Sequence, residues 1–104
     1  MNWRVVVRPE VECDIARAAA WYEVREEGLG TIFREEVIQV LDALAENPLI
    51  YCERHPRKDV RWRYPERFPY RFIYVVLESD GTFVVAAVVH AARHDRQWLK
   101  RIPV

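Results

Sequence analysis

The sequence predicts an α+β fold: an antiparallel sheet in the order β-α-α-β-β-β, with an N-terminal helical hairpin packed on one face. Three observations predict it. Two apolar runs, Tyr70–Leu77 and 83–89, are rich in aromatic and β-branched residues, and Asp80-Gly81 between them marks a hairpin turn. Two helical periodicities follow one another before residue 48. Strand-like runs stand on both sides of that helical pair with no strand–helix alternation, which argues against a parallel βαβ sheet. At 104 residues the chain is long enough to bury a core, and a single domain over 1–104 is expected.

The first element is a short strand over 3–7, with Trp3, Val5 and Val7 on one face. Pro9 then suits a first helical turn, where its missing N–H costs nothing. Glu10, Glu12 and Asp14 put negative charge at the positive end of that helix. Val11, Ile15, Ala18, Ala19 and Tyr22 form one apolar stripe. The helix should end near Glu27, with Gly28-Leu29-Gly30 supplying the glycine of its C-terminus. Thr31 is the expected cap of a second helix, on which Phe33, Val37, Val40, Leu41 and Leu44 repeat the spacing. Asn47-Pro48 stops it. Residues 49–59 read as irregular. Residues 60–64 alternate apolar residues with Arg61 and Arg63, as a half-exposed strand does.

In the hairpin, Tyr70, Phe72, Tyr74 and Val76 should share one face, and Arg71, Ile73, Val75 and Leu77 the other. Simple alternation in the second strand sets Phe83, Val85, Ala87 and Val89 against Val84, Ala86, Val88 and His90. Neither strand alternates cleanly between apolar and polar, so both faces should be covered. The tail after Arg93 can form one helical turn with Trp98 packed back.

Formal net charge is zero, but it divides. Residues 1–52 carry five Arg and ten Asp/Glu, or −5; residues 53–104 carry nine Arg, two Lys and six Asp/Glu, or +5. One reading is a solvated surface; the other is an anionic partner, nucleic acid or acidic peptide, on the C-terminal half. No run approaches the ~20 apolar residues of a membrane span, and the N-terminus lacks a signal-peptide core, so a cytoplasmic location is expected. Cys13 and Cys52 are expected to be small buried apolar residues. Glu26-Glu27 and Glu35-Glu36 read as solvated helix faces. With no glycine-rich phosphate loop, no Cys/His zinc spacing and no G-x-S-x-G elbow, no cofactor and no metal are expected.

The chemistry-bearing residues are Arg61, Arg63, Arg71 and Arg93, from neighbouring segments. Converging guanidinium groups can hold a phosphodiester and stabilise charge in a transition state. A metal-independent nuclease also needs a proton donor and acceptor, for which His90 and His94 are nearest. The competing reading makes the arginines surface charge and His90 a satisfied histidine at a strand end. Trp21, Tyr22 and Trp98 read as core or interface aromatics.

The element order, Ala20-Trp21-Tyr22, Gly28-Leu29-Gly30, Asn47-Pro48, Phe68-Pro69-Tyr70-Arg71-Phe72-Ile73-Tyr74 and His90-Ala91-Ala92-Arg93 together resemble the RelE/ParE toxin superfamily. The closer resemblance is to its ParE-like, plasmid-stabilisation branch. It implies a small toxin neutralised by a cognate antitoxin. The RelE-like branch cleaves messenger RNA on the ribosome without metal; the ParE-like branch blocks DNA gyrase. The resemblance carries the nuclease pattern onto Arg61, Arg63, Arg71 and Arg93, with His94 as a stand-in of the kind that a late histidine provides in some relatives. The tyrosine register falls near Trp98-Leu99, so that group is missing. The expected function is therefore that of a ParE-like toxin whose antitoxin or target contacts are Arg71, His90, Arg93 and Trp98. The alternatives are a ribosome-dependent endoribonuclease and a remnant that only binds antitoxin. A homodimer or a heterotetramer with antitoxin is a further expectation.

Overall fold

The computed structural model describes residues 3–50, 53–55, 60–93 and 96–102. Its elements are β1 (Arg4–Val7), α1 (Pro9–Arg25), α2 (Leu29–Glu46), β2 (Glu53–Arg54), β3 (Arg61–Arg63), β4 (Tyr70–Leu77), β5 (Thr82–His90) and α3 (Arg96–Leu99). They form a five-stranded sheet in the order β1-β5-β4-β3-β2, with the α1–α2 hairpin on one face. The expected α+β architecture is therefore present. The sheet is mixed, however: β1 lies parallel to β5, and the other pairs are antiparallel. The short β2 falls in the stretch expected to be irregular, where β3 gives it a partner.

Pro9 opens α1 as expected, with Arg8 at the cap position and no side-chain cap. The passage to α2 differs from expectation. Gly28 caps α2 with φ of 89°, a left-handed conformation that glycine adopts at least cost. Thr31 lies inside the helix rather than capping it. The Glu23 carboxylate takes the capping role instead, accepting the Gly28 and Gly30 N–H groups at 2.9 and 3.0 Å. Two donors that would otherwise lack helical partners are thus satisfied by an anion at the positive helix end. Gly30 is needed for packing: a Cβ there would stand 2.6 Å from the Ala19 carbonyl oxygen.

Two cores form on the two sheet faces. Beneath the helices, Val11, Ala18, Phe33, Val37, Val40 and Leu44 pack on Phe72, Tyr74, Phe83 and Val85. On the other face Val60, Ile73, Ala86, Ala87, Trp98 and Ile102 cluster. The C-terminal segment thus covers the face for which the sequence showed no cover. Tyr74 is fully buried and its hydroxyl donates to the Pro48 carbonyl at 2.7 Å.

Between β4 and β5 the register slips. Ile73 pairs with Ala87 but Tyr74 pairs with Val85, so Ala86 is an extra residue, a β-bulge. Beyond it the faces exchange. Val88 joins Phe83 and Val85 under the helices, whereas Ala87 faces the second core. Simple alternation had set Val88 and His90 against Phe83 and Val85; the bulge brings them to the same side.

Two acidic residues are buried, of which Glu36 was expected on a solvated helix face. Glu36 on α2 accepts the Arg67 backbone N–H at 3.0 Å and pairs with the Arg67 guanidinium. Asp14 on α1 is also buried. Cys13, by contrast, is exposed, and Cys52 lies outside the described residues. No helix among the described residues is long and apolar enough to cross a membrane.

Candidate functional site

The predicted arginines do not share one surface. Residues directly opposite in an antiparallel ladder point to the same side. Arg61 lies opposite Tyr74 and Arg63 opposite Phe72, so both are on the helix face of β3. Arg71 alternates with Ile73 and therefore belongs to the other face. The expected convergence of Arg61 and Arg63 with Arg71 is absent because the pleat sends them to opposite sides of the sheet.

Arg71 is itself buried, 6 % exposed. Its Cζ lies 5.5 Å from the Trp62 ring centroid and 5.8 Å from that of Trp98, so two indoles hold the cation. Its Nη2 donates to the Arg93 carbonyl at 2.9 Å. Arg71 thereby ties down the turn after β5. The same turn is fixed by the Ala91 N–H on the Pro69 carbonyl at 2.7 Å and the Arg93 N–H on that of His90 at 2.9 Å. Trp98 is fully buried and fills the second core, so it presents no surface to a partner in this state. His94 lies outside the described residues.

His90 and Arg93 instead reach a cleft of about 640 Å³ between α1, the start of β4 and the end of β5. Arg17, Trp21 and Tyr22 line it from α1, and Tyr70 from β4. Its existence follows from the shortness of β1. Pro9 ends that strand, so β1 pairs with β5 only from Thr82 to Val85. The outer edge of β5 beyond Val85 is satisfied by side chains. Asp14 Oδ2 accepts the Val88 N–H at 3.0 Å, and Arg101 Nη1 donates to the Ala86 carbonyl at 3.2 Å. Arg101 also binds Asp14 through both terminal nitrogens, at 2.7 and 3.2 Å, and its own carbonyl accepts from Arg8 at 2.7 Å. That bidentate hydrogen bond with Asp14, before the opposing effect of burial, holds the Arg101 pKa above its ordinary value.

Inside the cleft the Tyr70 ring meets His90 edge-on at 5.4 Å and Tyr22 at 6.1 Å. Burial raises the pKa of Tyr70, against the opposing pull of the Arg93 charge. It raises that of Tyr22 as well, reinforced by Tyr70. Both hydroxyls therefore remain protonated donors through neutral pH. His90 Nδ1 accepts the Ala92 N–H at 3.0 Å, which leaves Nε2 as the ring's donor. Among the described residues, no cluster of three or more His, Cys, Asp or Glu side chains is arranged to hold a metal ion.

Sequence reasoning singled out His90 and Arg93 but missed Arg17, Asp14 and Arg101. Asp14 did leave a signal: it lies on the stripe of Val11, Ile15 and Ala18, where a charge needs a buried partner. Arg101 left none, because its partner is 87 residues away.

Comparison with known proteins agrees with this architecture. The free-state structure of an arginine double mutant of the E. coli toxin RelE matches with a TM-score of 0.74 and 19 % identity. That match covers 99 % of this chain and 100 % of the other. The RelBE2 toxin–antitoxin complex of Mycobacterium tuberculosis matches with a TM-score of 0.64 and 18 % identity, over 89 % and 95 % of the two chains. Isolated E. coli RelE gives 0.64 and 19 %, over 97 % and 99 %. At such identities these likenesses speak for the fold. No curated protein matches the sequence. The family model of the ParE toxin of type II toxin–antitoxin systems, parDE, matches residues 5–95. With the fold of RelE and a family match over most of its length, this chain belongs to the ParE toxin family, within the RelE/ParE superfamily of type II toxins.

Proposed function

We propose that this chain acts as a ParE-like toxin: it inhibits DNA gyrase by binding, without chemistry of its own, and is held inactive in the cytoplasm by a cognate antitoxin. The observation that carries this reading is the division of the arginines. Phosphodiester cleavage without metal needs guanidinium groups and a proton-transfer pair around one scissile bond. Arg61 and Arg63 share a face that Arg71 does not, and Arg71 is buried between two indoles. Such an arrangement suits binding better than cleavage. His90 and Arg93 are the proposed direct contacts for antitoxin or target. Arg71 acts through the Arg93 turn, and Trp98 by holding the C-terminal segment in place. The M. tuberculosis RelBE2 toxin–antitoxin complex supports a partnered resting state of the same kind; a homodimer or a heterotetramer with antitoxin is the proposed assembly.

The test pairs two assays on the purified protein. Gyrase supercoiling should fall with added toxin and return when antitoxin is added, while primer extension on translated messages should show intact transcripts. Cleavage within those messages, lost in Arg71→Ala and His94→Ala variants that still bind antitoxin, would establish the endoribonuclease alternative involving Arg61, Arg63, Arg71, Arg93 and His94. Antitoxin binding without either effect would mark a remnant.

A further inference from the structure

We infer that the cleft between α1 and the end of β5 is a binding site for a phosphate monoester on an organic body of mononucleotide size. The inference concerns this cleft alone and does not depend on whether gyrase or messenger RNA is the target.

The wall chemistry points to an anion. Three arginines and one histidine line the cleft against a single carboxylate, Asp14. Both oxygens of that carboxylate are already taken, by Arg101 and the Val88 N–H. An entering anion therefore meets no uncommitted negative group among the lining residues. The donors come from four places in the chain: Arg17 and Tyr22 on α1, Tyr70 on β4, His90 on β5 and Arg93 on the turn. Neither phenol donates to a described residue, so both hydroxyls are available.

The number and kind of donors favour phosphate over carboxylate. A carboxylate offers two oxygens. A phosphate monoester offers three terminal oxygens and matches the planar fork of arginine. The volume, about 640 Å³, is far more than a bare phosphate fills and falls in the range of small-molecule sites. The remaining wall includes the apolar Ala18 and Val88, with the half-exposed Trp21 indole at the rim. Trp21 already carries the Arg25 guanidinium over its ring, with Cζ 3.2 Å from the centroid. It also meets Tyr22 edge-on at 5.0 Å, which braces it at the rim. An aromatic or sugar-like body suits that rim.

The test is calorimetric titration of the full chain with adenosine monophosphate, adenosine and inorganic phosphate. A second arm compares an oligonucleotide bearing a terminal phosphate with the same strand lacking it. The expected result is that adenosine monophosphate binds and adenosine does not. Tyr70→Phe and Arg17→Gln, both checked for fold by circular dichroism, should each weaken binding roughly tenfold to a hundredfold. Phosphate-dependent binding of the oligonucleotide alone would support the same site with a nucleic-acid end as its source. Equal binding of adenosine and its monophosphate, affinity unchanged in both variants, or no binding by any phosphorylated probe at millimolar concentration would overturn the assignment.

Discussion

Arg71 is a buried cation that holds the turn after β5. Its place on a strand rich in tyrosine suggested a hand extended to phosphate. The structure buries it between Trp62 and Trp98 with Nη2 on the Arg93 carbonyl. Replacing it with Ala removes a charge-assisted hydrogen bond and two cation–π contacts, and should cost about 2–4 kcal/mol in urea unfolding. Arg71→Lys keeps the charge but loses the planar fork, so it should recover only part of that stability. Tyr22 and Tyr70 give a second prediction at this scale. Their pKa values are raised above 10.0 in the fold, chiefly by burial. The folded state therefore holds its phenolic protons more tightly than the unfolded chain. The resulting stability is fully present below pH 10 and is lost as pH rises through the folded pKa values. A Tyr22→Phe, Tyr70→Phe double variant should show a flatter loss of melting temperature on the alkaline side than the parent.

The helical hairpin shows how an element boundary can rest on distant side chains. The sequence supplied the right helices and the right break, but the wrong cap. Thr31 is a good capping residue, yet the cap of α2 lies three residues earlier because Gly28 can adopt a positive φ and Glu23 reaches across from α1. Gly28 and Gly30 serve different ends. Gly28→Ala meets no steric obstacle but must hold φ near 89°, at a cost of about 1–2 kcal/mol. Gly30→Ala drives a methyl group into the Ala19 carbonyl at 2.6 Å, and backbone cannot step aside as a flexible side chain can. That variant should be the less stable of the two by thermal melting, and it should separate the helices rather than unwind one. On the strand side, the bulge at Ala86 is the corresponding device. One inserted residue turns His90 from its expected face to the cleft.

At the scale of the molecule, the C-terminal segment closes the structure. Trp98 fills the second core, and Arg101 crosses to Asp14 on α1 and to the Ala86 carbonyl. Trp98→Ala should cost about 3–5 kcal/mol, the price of a buried indole and its cavity. Asp14→Ala should cost about 2–3 kcal/mol in denaturant titration. It strands the Val88 N–H and a guanidinium, although Arg101 keeps 26 % of its side chain exposed and so retains some solvation. Adding Arg101→Met to that variant should restore part of the loss, since no charge is then left without its counterpart. The charge division along the chain also takes on a spatial meaning here. Acidic residues of the N-terminal half do not simply face water: Asp14 and Glu36 are drawn inward by Arg101 and Arg67 from the basic half.

The linear pattern determined which segments are helical and where the hairpin turns, because hydrophobic period and turn chemistry are local properties. It also marked His90 and Arg93 as residues worth following. Three things were decided only in three dimensions. The bulge altered side-chain parity, and a period of two cannot register one inserted residue. The parallel seating of β1 left an open edge on β5 that side chains from both ends of the chain complete. The pleat set Arg61 and Arg63 apart from Arg71, since the order of residues does not say which side of a sheet each strand presents until its partners are fixed.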